Sequence, residues 1–243
     1  RPKQPAPDSA AQTKAREYFY QGVLAQSSGR TMEAFDLLRH ARALDPTDPA
    51  IAFMLGGNYA QQGMSDRALS LLEEAYGADS TNLTYARALS AGYIEAGRMH
   101  DALHINERLS EADPEDDDVR YRLIQLYART GELKKGIQLA TELQKRFRPM
   151  PEAYGQLTKM KIQLLALSKD SVAVGREYRA WAALYPEDRR PYYDWILHLF
   201  QTGGVKEAEK QLASDVRAGR ISSGDATALR VHKYILQKDY PAR

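Results

Sequence analysis

The sequence predicts an all-α chain of paired helices, and three observations predict it. Its 243 residues are rich in Ala, Leu, Arg, Glu and Gln, which favour helix. Helix breakers are sparse: after Pro2, Pro5 and Pro7, prolines stand only at Pro46, Pro49, Pro114, Pro149, Pro151, Pro186, Pro191 and Pro241. Most of the intervals between them are too long for one ordinary helix, and Gly29, Gly63, Gly97 and Gly131, spaced by 34 residues, divide most of the long ones.

The elements follow in order. Residues 1–9, RPKQPAPDS, are polar and Pro-rich and read as a tether. In the stretch from Tyr85 to Asp116, Leu89, Tyr93, Ala102, Leu103, Ile105 and Leu109 recur at helical spacing on either side of Gly97. The small residue after each turn, Ala34, Ala68, Ala102 or Gly136, marks where the second helix presses on the first. Pro46 and Pro114, each preceded by Asp, end the second helix, because the residue before proline is biased away from helical geometry. Ser80 and Arg148 take the corresponding places in the other two units.

Quoted together, these positions resemble the tetratricopeptide repeat family. Residues 15–48 offer Tyr18, Gly22, Ala25, Gly29, Ala34, Leu38, Ala41 and Pro46; residues 49–82 offer Leu55, Gly56, Tyr59, Gly63, Ala68, Leu72 and Ala75. Residues 83–116 keep Leu89, Tyr93, Gly97, Ala102 and Pro114, and residues 117–150 keep Leu123, Tyr127 and Gly131. The period then slips by about four, which we place at Leu167 to Ser171. Residues 151–188 thereby gain a longer first helix from Glu152 and a second near Val172 to Leu184, with Tyr178 and Trp181. Residues 189–222 recover the pattern with Pro191, Tyr192, Trp195, Leu199, Gly203, Ala208 and Leu212. The resemblance implies a right-handed superhelical solenoid of antiparallel helix pairs over residues 10–221. Beyond it, Ser222 and Ser223 can cap a helix from Asp225 to Gln237 with Val231, Tyr234 and Ile235 apolar, and Lys238 to Pro241 is similar to the turn of a seventh unit. For residues 222–243, a capping helix and a truncated seventh repeat both remain open.

Composition excludes several classes of function. No Cys means no disulfide, thiolate metal site or Cys nucleophile. With 34 Lys and Arg against 32 Asp and Glu, the net charge of +2 gives no basic stripe for nucleic acid. No apolar run approaches the roughly 20 residues of a transmembrane helix. His100 and His104 share a helix face, but HDALH lacks the Glu of a zinc-protease motif, and Ala102 is already the packing alanine. The run EADPEDDD from Glu111 lacks the central Gly and spaced ligands of a calcium loop and reads as a solvated turn. Gly56-Gly57 and Gly203-Gly204 lack the strand of a phosphate loop. No nucleophile and base pair together, so the expectation is a non-enzyme without metal or cofactor.

What remains is surface. In the family, first helices line a concave wall that holds peptides. By the family's pattern the wall here carries Arg16, Phe19 and Val23, then Phe53 and Gly57, then Arg87 and Ala91, then Tyr121, Arg122, Gln125 and Arg129. Lys159, Tyr193, Leu197 and Phe200 follow. The expected partner is a protein or peptide segment, with Arg87, Arg122 and Arg129 suited to an acidic or C-terminal stretch. The competing expectation, for the aromatic residues and for the arginines as well, is a structural role in sealing one repeat against the next. The carboxylate clamp of chaperone-binding members is absent, since its places read Phe19, Val23, Met54, Thr84 and Ala88. The alternative function is a structural or self-associating module of a larger envelope-associated protein, and the tether resembles the lead-in of periplasmic or lipid-anchored bacterial repeat proteins.

Overall fold

A computed structural model describes the chain over residues 9–239, with side chains described through residue 233. Residues 1–8 of the tether, and Tyr240 and Pro241, lie outside the described residues. The chain divides into two compact units, Arg1–Thr130 and Gly131–Arg243. The described residues are helices and short turns, an all-α helical repeat.

The first unit contains α1 (Ala10–Ser27), α2 (Thr31–Leu44), α3 (Pro49–Gln61), α4 (Ser65–Ala78), α5 (Leu83–Glu95), α6 (Met99–Ala112) and α7 (Asp117–Thr130). The first helices α1, α3 and α5 begin at side-chain caps, whereas α2, α4 and α6 do not: Ser9 closes a capping box with Gln12, Asp48 accepts from the Ala50 and Ile51 amides, and Asn82 accepts from those of Thr84 and Tyr85. The turn within each pair is a left-handed glycine, with φ of 74° at Gly29, 73° at Gly63 and 75° at Gly97. The turn between pairs does not need its proline. Asp45 Oδ1 accepts from the Thr47 amide at 3.1 Å, and Asp79 Oδ1 accepts from Thr81 at the same distance, although Ser80 stands where Pro46 stood.

Ala34, Ala68 and Ala102 are buried under their first helices. A Cβ on Gly22 would meet Leu38 Cγ at 3.0 Å, and one on Gly56 would meet the Ala68 carbonyl at 3.3 Å, so the close crossing depends on small residues on both helices. Successive pairs are joined by repeated bonds. Tyr93 donates to Glu73 at 3.0 Å, and 34 residues on Tyr127 donates to Glu107 at 3.0 Å. Phe19 packs on Ala15, Ala41 and Ile51, while Phe53 packs beside Ala52, Ala75 and Tyr85.

The second unit contains α8 (Leu133–Arg146), α9 (Pro151–Leu167), α10 (Ser171–Leu184), α11 (Arg190–Gln201), α12 (Val205–Arg217) and α13 (Ser223–Asp239). The four extra residues are not at Leu167 to Ser171. The turn there, Ser168–Asp170, matches the others, and the excess lies inside α9, which has 17 residues against 13 in α3 and α5. Four residues are close to one helical turn of about 3.6, so the insertion lengthens α9 while keeping its faces aligned. Its turn lacks glycine: Lys169 adopts φ of 60°, the one non-glycine residue with positive φ among those described. The terminal helix is also longer than expected, from Ser223 through Asp239, so Lys238 and Asp239 are helical rather than a turn. Its inner side chains Ala226 and Leu229 join Ile196, Leu199, Phe200, Leu212 and Ile221 in one core cluster.

Candidate protein-binding surface

The residues expected on the inner wall differ in what they can still bind. Phe19 and Phe53 are half-buried; Phe53 lies tilted against Tyr85 with ring centroids 5.0 Å apart, so it seals two pairs together. Arg87 is committed as well, with Nη2 at 2.5 Å from Asp116 Oδ2 at the start of α7. The Asp116 carboxyl is held below the usual carboxylate range by the Val119 amide and by Arg87. Tyr121 is half-buried, and burial together with Asp117 pushes its phenol up.

Arg122, Gln125 and Arg129 are different. They stand at i, i+3 and i+7 on α7, which places them along one helix stripe. Gln125 and Arg129 are exposed, Arg122 is half-exposed, and neither guanidinium has an ion-pair partner among the described residues. Toward the preceding pairs, Ala91 is exposed, and a side chain at Gly57 would meet nothing within 4 Å. This part of the unit therefore offers two available cations beside a floor of small side chains.

In the second unit Lys159 and Tyr193 are tied down. Lys159 Nζ lies 2.8 Å from Asp194 Oδ2 and 5.9 Å from the Trp181 ring centroid. Tyr193 donates to Asp225 at 2.6 Å, joining α11 to the start of α13. Leu197 and Phe200 belong to the core beneath α13.

Two polar constellations in this unit escaped the sequence reading. Lys161 is buried with Nζ 2.7 Å from Glu177 Oε1 and 3.2 Å from Gln144 Oε1, while Gln144 donates to Thr158 at 2.8 Å. The signal was Thr158 and Lys161 standing where other repeats have Gly56 or Tyr59. In the second, Asp188 accepts from Trp181 Nε1 at 3.0 Å and from Arg190, which reaches Glu152 at 2.5 Å. Both constellations tie helices together, and neither pairs a nucleophile with a base. His100 and His104 are exposed on α6, and among the described residues no group of three or more His, Cys, Asp or Glu is placed to hold a metal. No helix there is long and apolar enough to cross a membrane.

Comparison with known proteins agrees with this architecture. A tetratricopeptide repeat model matches residues 25–92 and 93–159, together more than half of the chain. No curated protein matches. Among solved structures, YrrB, described as a TPR protein with an unusual peptide-binding site, superposes with a TM-score of 0.59 at 16% identity over 73% of this chain and 93% of its own. MamA AMB-1 gives 0.58 at 21% identity over 72% and 93%. The Naa15/Naa10 complex bound to HypK-THB gives 0.68 at 16% identity, over 92% of this chain and 34% of that one. At these identities the likeness is one of fold.

Proposed function

The chain belongs to the tetratricopeptide repeat family, and on that premise we propose that it is a non-catalytic scaffold holding an acidic protein segment against α7. One observation carries the reading: among the described residues Arg122 and Arg129 have no carboxylate partner, while Arg87 and Lys159 are neutralised by Asp116 and Asp194. An unpaired guanidinium pair one stripe long presents planar, bidentate donors to carboxylates. The exposed Gln125 between them adds an amide, and the small residues Ala91 and Gly57 let a peptide backbone approach closely. YrrB, a structural neighbour, is described as having a peptide-binding site, and peptide binding is carried over to this chain only as part of the proposal.

The test is affinity capture with the wild-type chain and with Arg122→Glu/Arg129→Glu. The proposal expects a discrete captured partner that the variant loses while its melting temperature stays unchanged. A variant that captures the same partner equally well overturns it.

A second reading, self-association, is favoured by a different surface. Tyr20 and Leu24 on α1 are 68% and 61% exposed. The residues one and two repeats after Leu24, Asn58 and Gly92, face the preceding pair, Asn58 bonding Gln26 at 3.2 Å and Gly92 closing on Leu69. The equivalent edge of α1 is bare among the described residues, so an oligomer joined there would be broken by Tyr20→Ser/Leu24→Ser.

A further inference from the structure

Where the second helix of one pair lies beside that of the next, long side chains cross the junction. At the first junction Arg42 of α2 holds Glu74 of α4, with Nη2 at 2.7 and 2.6 Å from the two carboxylate oxygens. One repeat on, Tyr76 of α4 takes the place of Arg42, and Arg108 of α6 takes that of Glu74, its guanidinium 5.6 Å from the Tyr76 ring centroid. In the second unit the corresponding residues are Gln144 of α8 and, counting the four residues inserted in α9, Ala180 of α10. Ala180 is exposed and too short to cross. A cavity of about 260 Å³ stands beside it, walled by Gln144, Lys145, Arg148, Tyr154 and Leu184.

The charge of this cavity is one-sided. Lys145 and Arg148 are exposed, and neither has an ion-pair partner among the described residues. The backbone at Arg148 is anchored, because its carbonyl accepts from the Tyr185 hydroxyl and Pro149 and Pro151 stiffen the chain that follows. No described carboxylate lines the cavity. Glu177, 3.4 Å from Gln144 Nε2, is matched by Lys161 at 2.7 Å, and the Gln144 amide is occupied by Thr158 and Lys161. At the first junction one guanidinium meets one carboxylate; here two cations meet none. The remaining wall is apolar, formed by Leu184 and by the Tyr154 ring, which is braced edge-on against Tyr185 with centroids 5.4 Å apart.

We propose that the cavity between α8 and α10 binds the phosphate group of a monoester. Such a group carries about −1.5 to −2 charges at pH 7, which matches two cations better than a single carboxylate does. The Arg148 fork would take two phosphate oxygens and the Lys145 ammonium a third, while the organic substituent lies against Leu184 and Tyr154. The site belongs to the second unit and does not depend on the α7 stripe.

Isothermal titration calorimetry of the full chain at fixed ionic strength tests this with phenyl phosphate, a capped phosphotyrosine peptide and phenylacetate. The proposal expects saturable binding of both phosphate compounds and at least about tenfold weaker binding of phenylacetate. Ala180→Glu puts the chain's own carboxylate where Glu74 lies at the first junction, and should weaken phenyl phosphate at least about tenfold in a chain that still melts cooperatively. Arg148→Gln should weaken it by a similar factor, and Arg122→Glu/Arg129→Glu should leave it unchanged. Equal affinity for the two phosphate compounds would assign the site to a free ester and tighter peptide binding to a phosphorylated segment, either in accord with the proposal. Absence of saturable binding, equal binding of phenylacetate, or loss through the α7 variant would overturn it. So would Arg148→Gln that lowers the melting temperature while phosphate binding stays intact, since the cations would then serve only the C-terminal end of α8.

Discussion

Trp181 fills the space that a side chain at Gly155 would need: a Cβ built there stands 2.7 Å from the indole Cζ2. Repeats one and two solve the same contact the other way, with the large residue on the first helix, Phe19 near Ala41 and Phe53 near Ala75. Trp181 is fully buried, so the exchange conserves volume rather than leaving a void. Gly155→Ala should therefore cost about 1 to 3 kcal/mol by overpacking, and Trp181→Ala about 3 to 5 kcal/mol by cavity formation. The double variant Gly155→Phe/Trp181→Ala restores the arrangement of the earlier repeats. Urea unfolding should place it well above the sum of its single changes, and strict additivity would show that the two positions do not share one space.

The Lys161 and Glu177 pair makes a different demand. Their side chains keep only 11% and 19% of their exposure, so removing one partner strands a charge. Lys161→Met is expected to cost about 3 kcal/mol, and Lys161→Met/Glu177→Leu to return close to wild-type stability. Chemical denaturation of the three variants decides this; a harmless Lys161→Met would mean that Glu177 is solvated without its partner.

Lys169 holds a left-handed conformation that costs about 1 to 2 kcal/mol for an L side chain, partly offset by the lower unfolded-state entropy of a non-glycine residue, about 0.5 to 1 kcal/mol. Lys169→Gly should then stabilise by about 0.5 to 1 kcal/mol, whereas Gly97→Ala, at φ of 75°, should destabilise by a comparable amount. Thermal unfolding that moves both in the same direction would contradict the turn geometry.

These three cases mark where the sequence was legible. The glycine turns and the alanines at Ala34, Ala68 and Ala102 could be read because each repeats at a fixed distance along the chain and acts within one helix pair. The exchange between Gly155 and Trp181 could not, because it joins residues 26 apart across an inserted helical turn whose place the spacing alone did not decide. Arg87 was assigned to the binding wall for a similar reason. Its partner Asp116 belongs to the acidic run beginning at Glu111, which reads as solvated until the fold brings it within 2.5 Å. Arg122, Gln125 and Arg129 lie on a single helix, so their shared stripe was visible from spacing.

Two tyrosines contribute to the alkaline limit. Tyr93 is pushed up to about 12 by burial and by its bond to Glu73, and Tyr178 to about 12 by burial and by Asp194. The folded chain keeps these phenols neutral while the unfolded chain ionises them from about pH 10, so their contribution is complete below pH 10 and is lost as pH rises through 12. Stability should fall across that window, and less steeply in Tyr178→Phe. Absorbance titration at the tyrosinate band checks the same point, and ionisation of both at the ordinary value would refute it.

The claim that Arg122 and Arg129 recruit an acidic partner is tested most directly by the salt dependence of affinity for the captured partner, measured for wild type and for Arg122→Glu/Arg129→Glu alongside light scattering. The account predicts a monomer whose affinity falls with rising salt, and a folded variant with weaker binding and a shallower salt slope. A stable oligomer without a partner, indifferent to the charge reversal, would contradict it and leave self-assembly through the α1 edge as the function.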